Sequence, residues 1–463
     1  MTDPKLRAAL LVVLRKRQRR RAQAALEEKQ AMRRRKRLRI KLAALVAALE
    51  AQETRCARRK INRGTDGWAG STINDYVTTG DVHTYKLNFR VTRETFCMMS
   101  NKLSSAGYLC TNACRDPGKR ITSQFKLGVC LYFMAGHGKG DMKAVADAAS
   151  IGRSTMLKYL DEFCMGVFRV LKPVYMSSKP PSASMLSSVR SEFAARRGIA
   201  NVAMATDGTH IPFHPQNAAT ASDYKNYKGW SSILMVAFVN AFYLFVDADV
   251  GAAGKSGDNS VLTGSWLLEQ IRKDPEVWLG PDGVIAADGG ASDGGKLLLN
   301  PIPNATQVDD LWYNFCHSST RFFVEEVFGR WKNRFRFLLQ ACDLDHSRFT
   351  NIIYASLVLH NVCTIHKDNA VDFSSGGDED WNNFFKQYAR DMCPQCVRRN
   401  AMHCSHSAKN RMAYPISAAN GTKDLRFALR DQLWKKLEDD TSNAADVARA
   451  EMHARAAKGG VGN

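Results

Sequence analysis

"VAMATDGTHIPF" (residues 202–213) decides how the middle of the chain is read. It is a run of small and apolar side chains containing one acid, Asp207. The run predicts a buried strand, with Asp207 placed where that strand turns out of the core. A carboxylate there either caps the turn or holds something positive. Three more segments of this kind follow: "SSILMVAFVNA" (231–241), "FYLFVDADVG" (242–251) and "GVIAADGGA" (283–291). The last repeats the first pattern, with small and apolar residues, then Asp288, then Gly289 and Gly290. Two carboxylates leaving neighbouring strands at the same sheet edge would converge, and the flanking glycines let backbone and bulky ligands approach closely. "GSWLLEQIRKD" (264–274), "STRFFVEEVFGRWKNRFRFLLQA" (319–341) and "RFTNIIYASLVLHNVCTIHKD" (348–368) carry helical periodicity. Strands with helices between and after them predict a layered α/β domain.

The second of those helices offers a third acid. Val324, Val327, Phe328, Trp331, Phe335 and Leu338 form its apolar stripe, and Glu325 lies at the margin beside Arg321, Gly329 and Lys332. Glu326 is expected to point to solvent. Each acid also has a plain reading: an Asp before Gly is a common turn residue, and Glu325 is spaced to pair with Arg321 four residues earlier. Read together, the three carboxylates would repel one another and raise one another's pKa. Mg²⁺ or Mn²⁺, which prefer carboxylate and water oxygens, would relieve that repulsion. A metal pair roughly 3.5–4 Å apart activates water or a 3′-hydroxyl for attack on a phosphodiester.

Outside this block the chain is helical and basic. Of a formal charge of +21, residues 1–60 hold twenty Lys and Arg against five Asp and Glu, an excess of fifteen. Such a tail suits nucleic acid or a nuclear address. Residues 61–80 read as a linker, and 83–175 as all helix. Within the latter, Ala144–Ser150, a turn at "IGR", and a helix capped by Ser154 or Thr155 have helix-turn-helix spacing, with Arg153 and Lys158 directed at DNA. "KPVYMSSKPPSASM" (172–185) reads as a hinge. The domain plan is therefore a basic tail and linker (1–80), a helical DNA-binding region (81–178), an α/β domain (190–370) and an extension (371–463). The start has its charges after a short apolar patch, the reverse of a signal peptide. The longest apolar run, 14 residues at 233–246, is too short to span a bilayer and reads as a pair of core strands. Twelve scattered cysteines suggest a reducing compartment.

In the extension, "CPQCVRRNAMHCSH" offers Cys393, Cys396, Cys404 and His406 as a structural zinc set, with His403 crowded against Cys404. The tail from "FALRDQLW" onward reads as a polar helix that frays. His360 in "LVLHN" reads as a core residue rather than a ligand.

The motifs "DGTHIP", "YKNYKGWSSILMVAFVN", "ADGGAS", "TRFFVEEVFGRWKNRFRFL" and "ASLVLHNVC" together resemble the Harbinger/PIF-type DDE transposases and the domesticated nuclease related to them. The family's V-E-x-x-F-G-x-x-K core is met by Val324, Glu325, Phe328, Gly329 and Lys332. The resemblance covers about residues 83–366. It implies an RNase H-like domain with a mixed sheet flanked by helices, preceded by a helix-turn-helix-like region. It implies Asp207, Asp288 and Glu325 as ligands of two Mg²⁺ or Mn²⁺, DNA as substrate, and a nuclear site of action. Lys228, Arg321 and Lys332 would neutralise phosphate. A Myb-like accessory protein and self-association are the partners it suggests. The chain departs from the family at Gly257, where a His is usual before Asp258, at Asn240, where an Asp is frequent, and at Gly289–Ala291, which lack the usual aromatic. Asp258 is left as an accessory ligand or a turn residue. The rival reading is a domesticated DNA-binding or scaffold protein without turnover. An RNA-directed nuclease lacks any RRM-type or KH-type signature.

Overall fold

The computed structural model describes residues 67–113, 120–176, 179–197, 199–291, 297–371, 422–439, 448–450, 452–454 and 456. Five strands, β1 (Val202–Pro212), β2 (Ser232–Val239), β3 (Phe245–Ala253), β4 (Val284–Ala286) and β5 (Leu298–Leu299), form one sheet in the order β3-β2-β1-β4-β5. β1, β2 and β3 are antiparallel; β1, β4 and β5 are parallel. The two apolar halves of 233–246 form β2 and β3 as expected, joined by a turn in which Asn240 Oδ1 accepts the N–H groups of Phe242 and Leu244 at 3.0 and 3.2 Å.

β1 corrects one expectation. Asp207 lies inside the strand rather than at its end. The cause is the unequal length of its neighbours: β2 pairs with β1 from Ala205 to Pro212, whereas β4 pairs with it only from Val202 to Ala205. At Asp207 the strand therefore continues while the sheet beside it has ended.

Strand alternation sorts the side chains into two cores. On one face, Ala205, Ile211, Met235 and Ala237 pack with Val324, Val327, Trp331 and Ile353. These come from the helices α12 (Val308–Arg334) and α13 (His346–Ile365). On the other face, Met204, Val236, Phe238 and Ile285 pack with Leu262, Leu268, Ile271 and Trp278. These belong to α9 (Asp258–Thr263), α10 (Trp266–Lys273) and α11 (Pro275–Leu279). Asp207 shares the parity of Ala205 and Ile211, so it faces α12. A mixed five-stranded sheet flanked by helices is consistent with an RNase H-like fold.

The region before β1 is helical, as read: α1 (Thr72–Thr78), α2 (Val82–Asn88), α3 (Arg93–Ser105), α4 (Ser123–Met134), α5 (Met142–Ala148), α6 (Arg153–Gly166), α7 (Lys172–Tyr175) and α8 (Ala183–Arg197). Side chains of Ser71, Asp81, Thr92, Thr122 and Asp141 cap the first five. α6 has Gly152 as its N-cap, not Ser154 or Thr155, because the chain already turns at Ser150 (φ +52°). These helices and the sheet share one core, which runs from Phe96 and Phe133 through Trp331. A buried ion pair, Arg334 to Asp368 at 2.9 Å, ties the end of α12 to the segment after α13, and Asp368 also accepts the N–H of Thr92 at 2.8 Å.

Two further expectations are corrected. The C-terminal helix α14 (Thr422–Asp439) is not simply polar. Leu429, Leu433 and Leu437 recur every four residues and are buried, and Trp312 Nε1 of α12 donates to the Leu433 carbonyl at 3.1 Å. Glu326 is partly buried rather than pointing into open solvent. α12 packs against β1, α8 and α14, and Glu326 Oε2 is buried without a hydrogen-bond partner. None of the described cysteines is in a disulfide, and no described helix is long and apolar enough to cross a membrane.

Candidate active site

Register brings the first two acids together. Ala205 of β1 is paired with Ala286 of β4 in parallel, so Asp207, still within β1, and Asp288, just past the end of β4, each stand two residues beyond that pair. Asp288 is exposed in the turn after β4, and its carbonyl accepts the Asn300 side-chain N–H at 2.6 Å. Glu325 approaches from α12, which lies across β1.

Arg321 joins them. Its Nη1 donates to Asp207 Oδ2 at 2.6 Å and its Nη2 pairs with Glu325 Oε1 at 2.8 Å. Both side chains of the Arg321–Asp207 pair are only 20% exposed. The i,i+4 pair expected between Arg321 and Glu325 is present, and the same guanidinium reaches the strand. Burial raises the Asp207 carboxyl to about 6. The Arg321 charge and the Gly208 N–H oppose that rise, and Glu325 and Asp288 add to it. Burial also acts against the Arg321 charge, but Asp207, Glu325 and Asp288 together raise its pKa further. All three acids thus act on one cation.

A cavity of about 460 Å³ opens along β1 beside Asp207 and Asp288. Asp207, Asp288 and Asp258 all line it. Asp258 is the first residue of α9, with Gly257 as N-cap in the position where the resembled family has a His. Gly208 makes room for it: a Cβ there would lie 2.5 Å from Asp258 Oδ2.

The predicted cations are placed differently from one another. Lys332 Nζ donates to Thr209 Oγ1 at 2.6 Å and to the His210 carbonyl at 3.0 Å. Burial, with Lys228 nearby, lowers its pKa to about 8. Lys228 is exposed on the loop before β2, 5.4 Å from the Tyr227 ring. Arg153 and Lys158 on α6 are both exposed, and Arg153 Nη2 donates to the Asp343 carbonyl at 3.3 Å. Cys393, Cys396, His403, Cys404 and His406 lie outside the described residues. His360 is a core residue, 2% exposed, with Nε2 on the Tyr243 carbonyl at 2.9 Å. Sequence reading missed Tyr227 and Trp230, which stand near His210 beside the cavity (ring centroids 5.9 and 6.0 Å from the imidazole). Their signal was two aromatics and a lysine in a polar turn, "NYKGWS".

Among the described residues, no three His, Cys, Asp or Glu side chains are grouped to hold a metal ion as they stand. The donor type nevertheless suits a hard divalent cation, since Asp207, Asp288 and Glu325 offer only carboxylate oxygens. The Arg321 guanidinium stands in for positive charge between two of them.

Comparison with curated proteins and with solved structures gave no match. Residues 206–361, which run from β1 almost to the end of α13 and include all three acids and Arg321, match the family model described as DDE superfamily endonuclease.

Proposed function

We propose that the chain is a divalent-metal-dependent DNA nuclease of transposase type, and that Asp207, Asp288 and Glu325 are its catalytic acids. The register that sets Asp207 beside Asp288 while one arginine links Asp207 to Glu325 carries this reading. The three carboxylates would hold one or two Mg²⁺ or Mn²⁺, which supply Lewis acidity and a nucleophile at neutral pH when bound. The chain's own residues do the rest. Lys332 and Lys228 set positive charge on the phosphate side of the acids, and Arg321 is free to neutralise phosphate once it releases Asp207. Asp258 places a further carboxylate against Gly208, on the cavity wall beside Asp207. Partial burial limits the access of bulk water to Asp207.

The basic segment 1–60 and the exposed Arg153 and Lys158 support duplex binding through α6 and the tail. With the Harbinger resemblance they also support a nuclear site, a Myb-like partner and self-association. The second reading, a domesticated binder without turnover, is favoured by one observation: Arg321 already occupies the acids. Plasmid nicking with Mg²⁺ or Mn²⁺ separates the two. The parent nicks and Asp288→Asn does not under the first reading. Binding without nicking by either protein supports the second.

A further inference from the structure

The loop between β1 and β2 exposes aromatic surface in a fixed shape. Tyr227 is 82% exposed and Trp230 is 38% exposed. The backbone between them is held by the buried Asn226, whose Oδ1 accepts the N–H groups of Lys228 and Trp230 at 3.0 and 3.3 Å. Asn226 N donates to the Trp230 carbonyl at 2.9 Å, and its Nδ2 donates to Ser232 Oγ at 3.1 Å. Gly229 closes the turn at φ +88°. The rings are therefore displayed from a pinned backbone, and the entropy of ordering that backbone is already spent on folding. His210 stands edge-on to both rings and is anchored by Ser232 Oγ at 3.0 Å. His210 and Tyr227 also line the cavity that Asp207, Asp258 and Asp288 line.

A pinned pair of exposed aromatics serves a flat partner. The charges around it select an anionic one: Lys225 and Lys228 are exposed on the same loop, and Lys255 is exposed on the cavity wall. A flat group on an anionic backbone is a nucleotide, and its base is free to stack only when unpaired.

We propose that Tyr227, Trp230 and His210, with Lys228, form a stacking platform for an unpaired nucleobase of the DNA strand at the mouth of the acidic cavity. The proposal rests on the nuclease reading of the site and names the form of DNA it holds. A strand gripped this way is unpaired beside the acids, so single strands, frayed ends and overhangs are preferred over blunt duplex.

The test uses the full chain without added metal, so that no strand is cut. Fluorescence anisotropy measures affinity for a labelled short single strand and for the same sequence as a blunt duplex. Compared with the parent, Tyr227→Ala/Trp230→Ala loses roughly tenfold or more in single-strand affinity and keeps its duplex affinity. Tyr227→Phe/Trp230→Phe, which retains both ring faces, keeps the single-strand affinity. Thermal midpoints of both variants verify folding. Loss in neither DNA form, or equal loss in both, overturns the platform and leaves the nuclease reading standing. A folded parent that binds neither form and does not nick plasmid with metal overturns the nuclease reading, and the platform with it.

Discussion

Arg321 supplies the positive charge that three converging carboxylates require. Two of its contacts are 2.6 and 2.8 Å long in a setting one-fifth exposed on the arginine side. Removing one partner of such a pair leaves charge uncompensated, and partial exposure keeps the cost below that of a fully buried pair. Arg321→Met is therefore expected to lower the unfolding free energy by about 2 kcal/mol in metal-free buffer. Mn²⁺ should then raise the thermal midpoint of the variant more than that of the parent, because Asp207 Oδ2 and Glu325 Oε1 become available to the ion. Equal Mn²⁺ responses in the two proteins would show that the guanidinium does not compete. The Arg321–Glu325 half of this arrangement is legible in the sequence from their spacing along one helix. The Asp207 half is not, since it depends on how α12 is laid across β1, 114 residues away.

At the scale of elements, α13 carries a buried histidine with a consequence for acid stability. His360 donates from Nε2 to Tyr243, while its Nδ1 is buried without a partner. Burial lowers its pKa to about 3. The Tyr243 carbonyl opposes that shift, and Arg334 and Arg330 assist it. A base whose folded pKa is lowered stabilises the fold above its unfolded pKa of 6.5, and that contribution fades as pH falls from 6.5 toward 3. The fold should lose about 2 kcal/mol between pH 7.5 and pH 5 from this group alone. Urea unfolding at both pH values should show a smaller loss in His360→Gln, which keeps a donor for Tyr243 but does not titrate. Equal losses in the two proteins would mean that His360 is not the group responsible. The same scale shows where sequence patterns ran out. β2, β3 and α12 were legible because burial on one or both faces writes long periodic runs. β5 has two residues, too few to show any period. The extent of β1 was misjudged because a Gly-containing continuation reads as a turn, whereas pairing with β2 keeps it extended. In α14 a narrow leucine stripe was outweighed by surrounding charge.

For the whole molecule, the charge is split by sequence position. The excess of fifteen in residues 1–60 leaves only six of the +21 for the remaining 403 residues. Residues 61–463, which carry the acids, the aromatic loop and α6, therefore have little net attraction for a polyanion beyond local patches. Counterion release makes affinity for duplex DNA fall with salt in proportion to the number of phosphates neutralised. If the basic segment supplies most of those contacts, deleting residues 1–60 should sharply weaken duplex binding at low salt. It should also flatten the slope of log affinity against log salt by several phosphate equivalents, at about 0.9 per contact. Nicking at saturating protein should survive, because every acid and Arg321 lie between residues 207 and 325. Anisotropy titrations of both proteins over a salt series give the two slopes directly. Parallel slopes would place the duplex contacts on residues 61–463 instead, with Arg153 and Lys158 of α6 the first residues to replace.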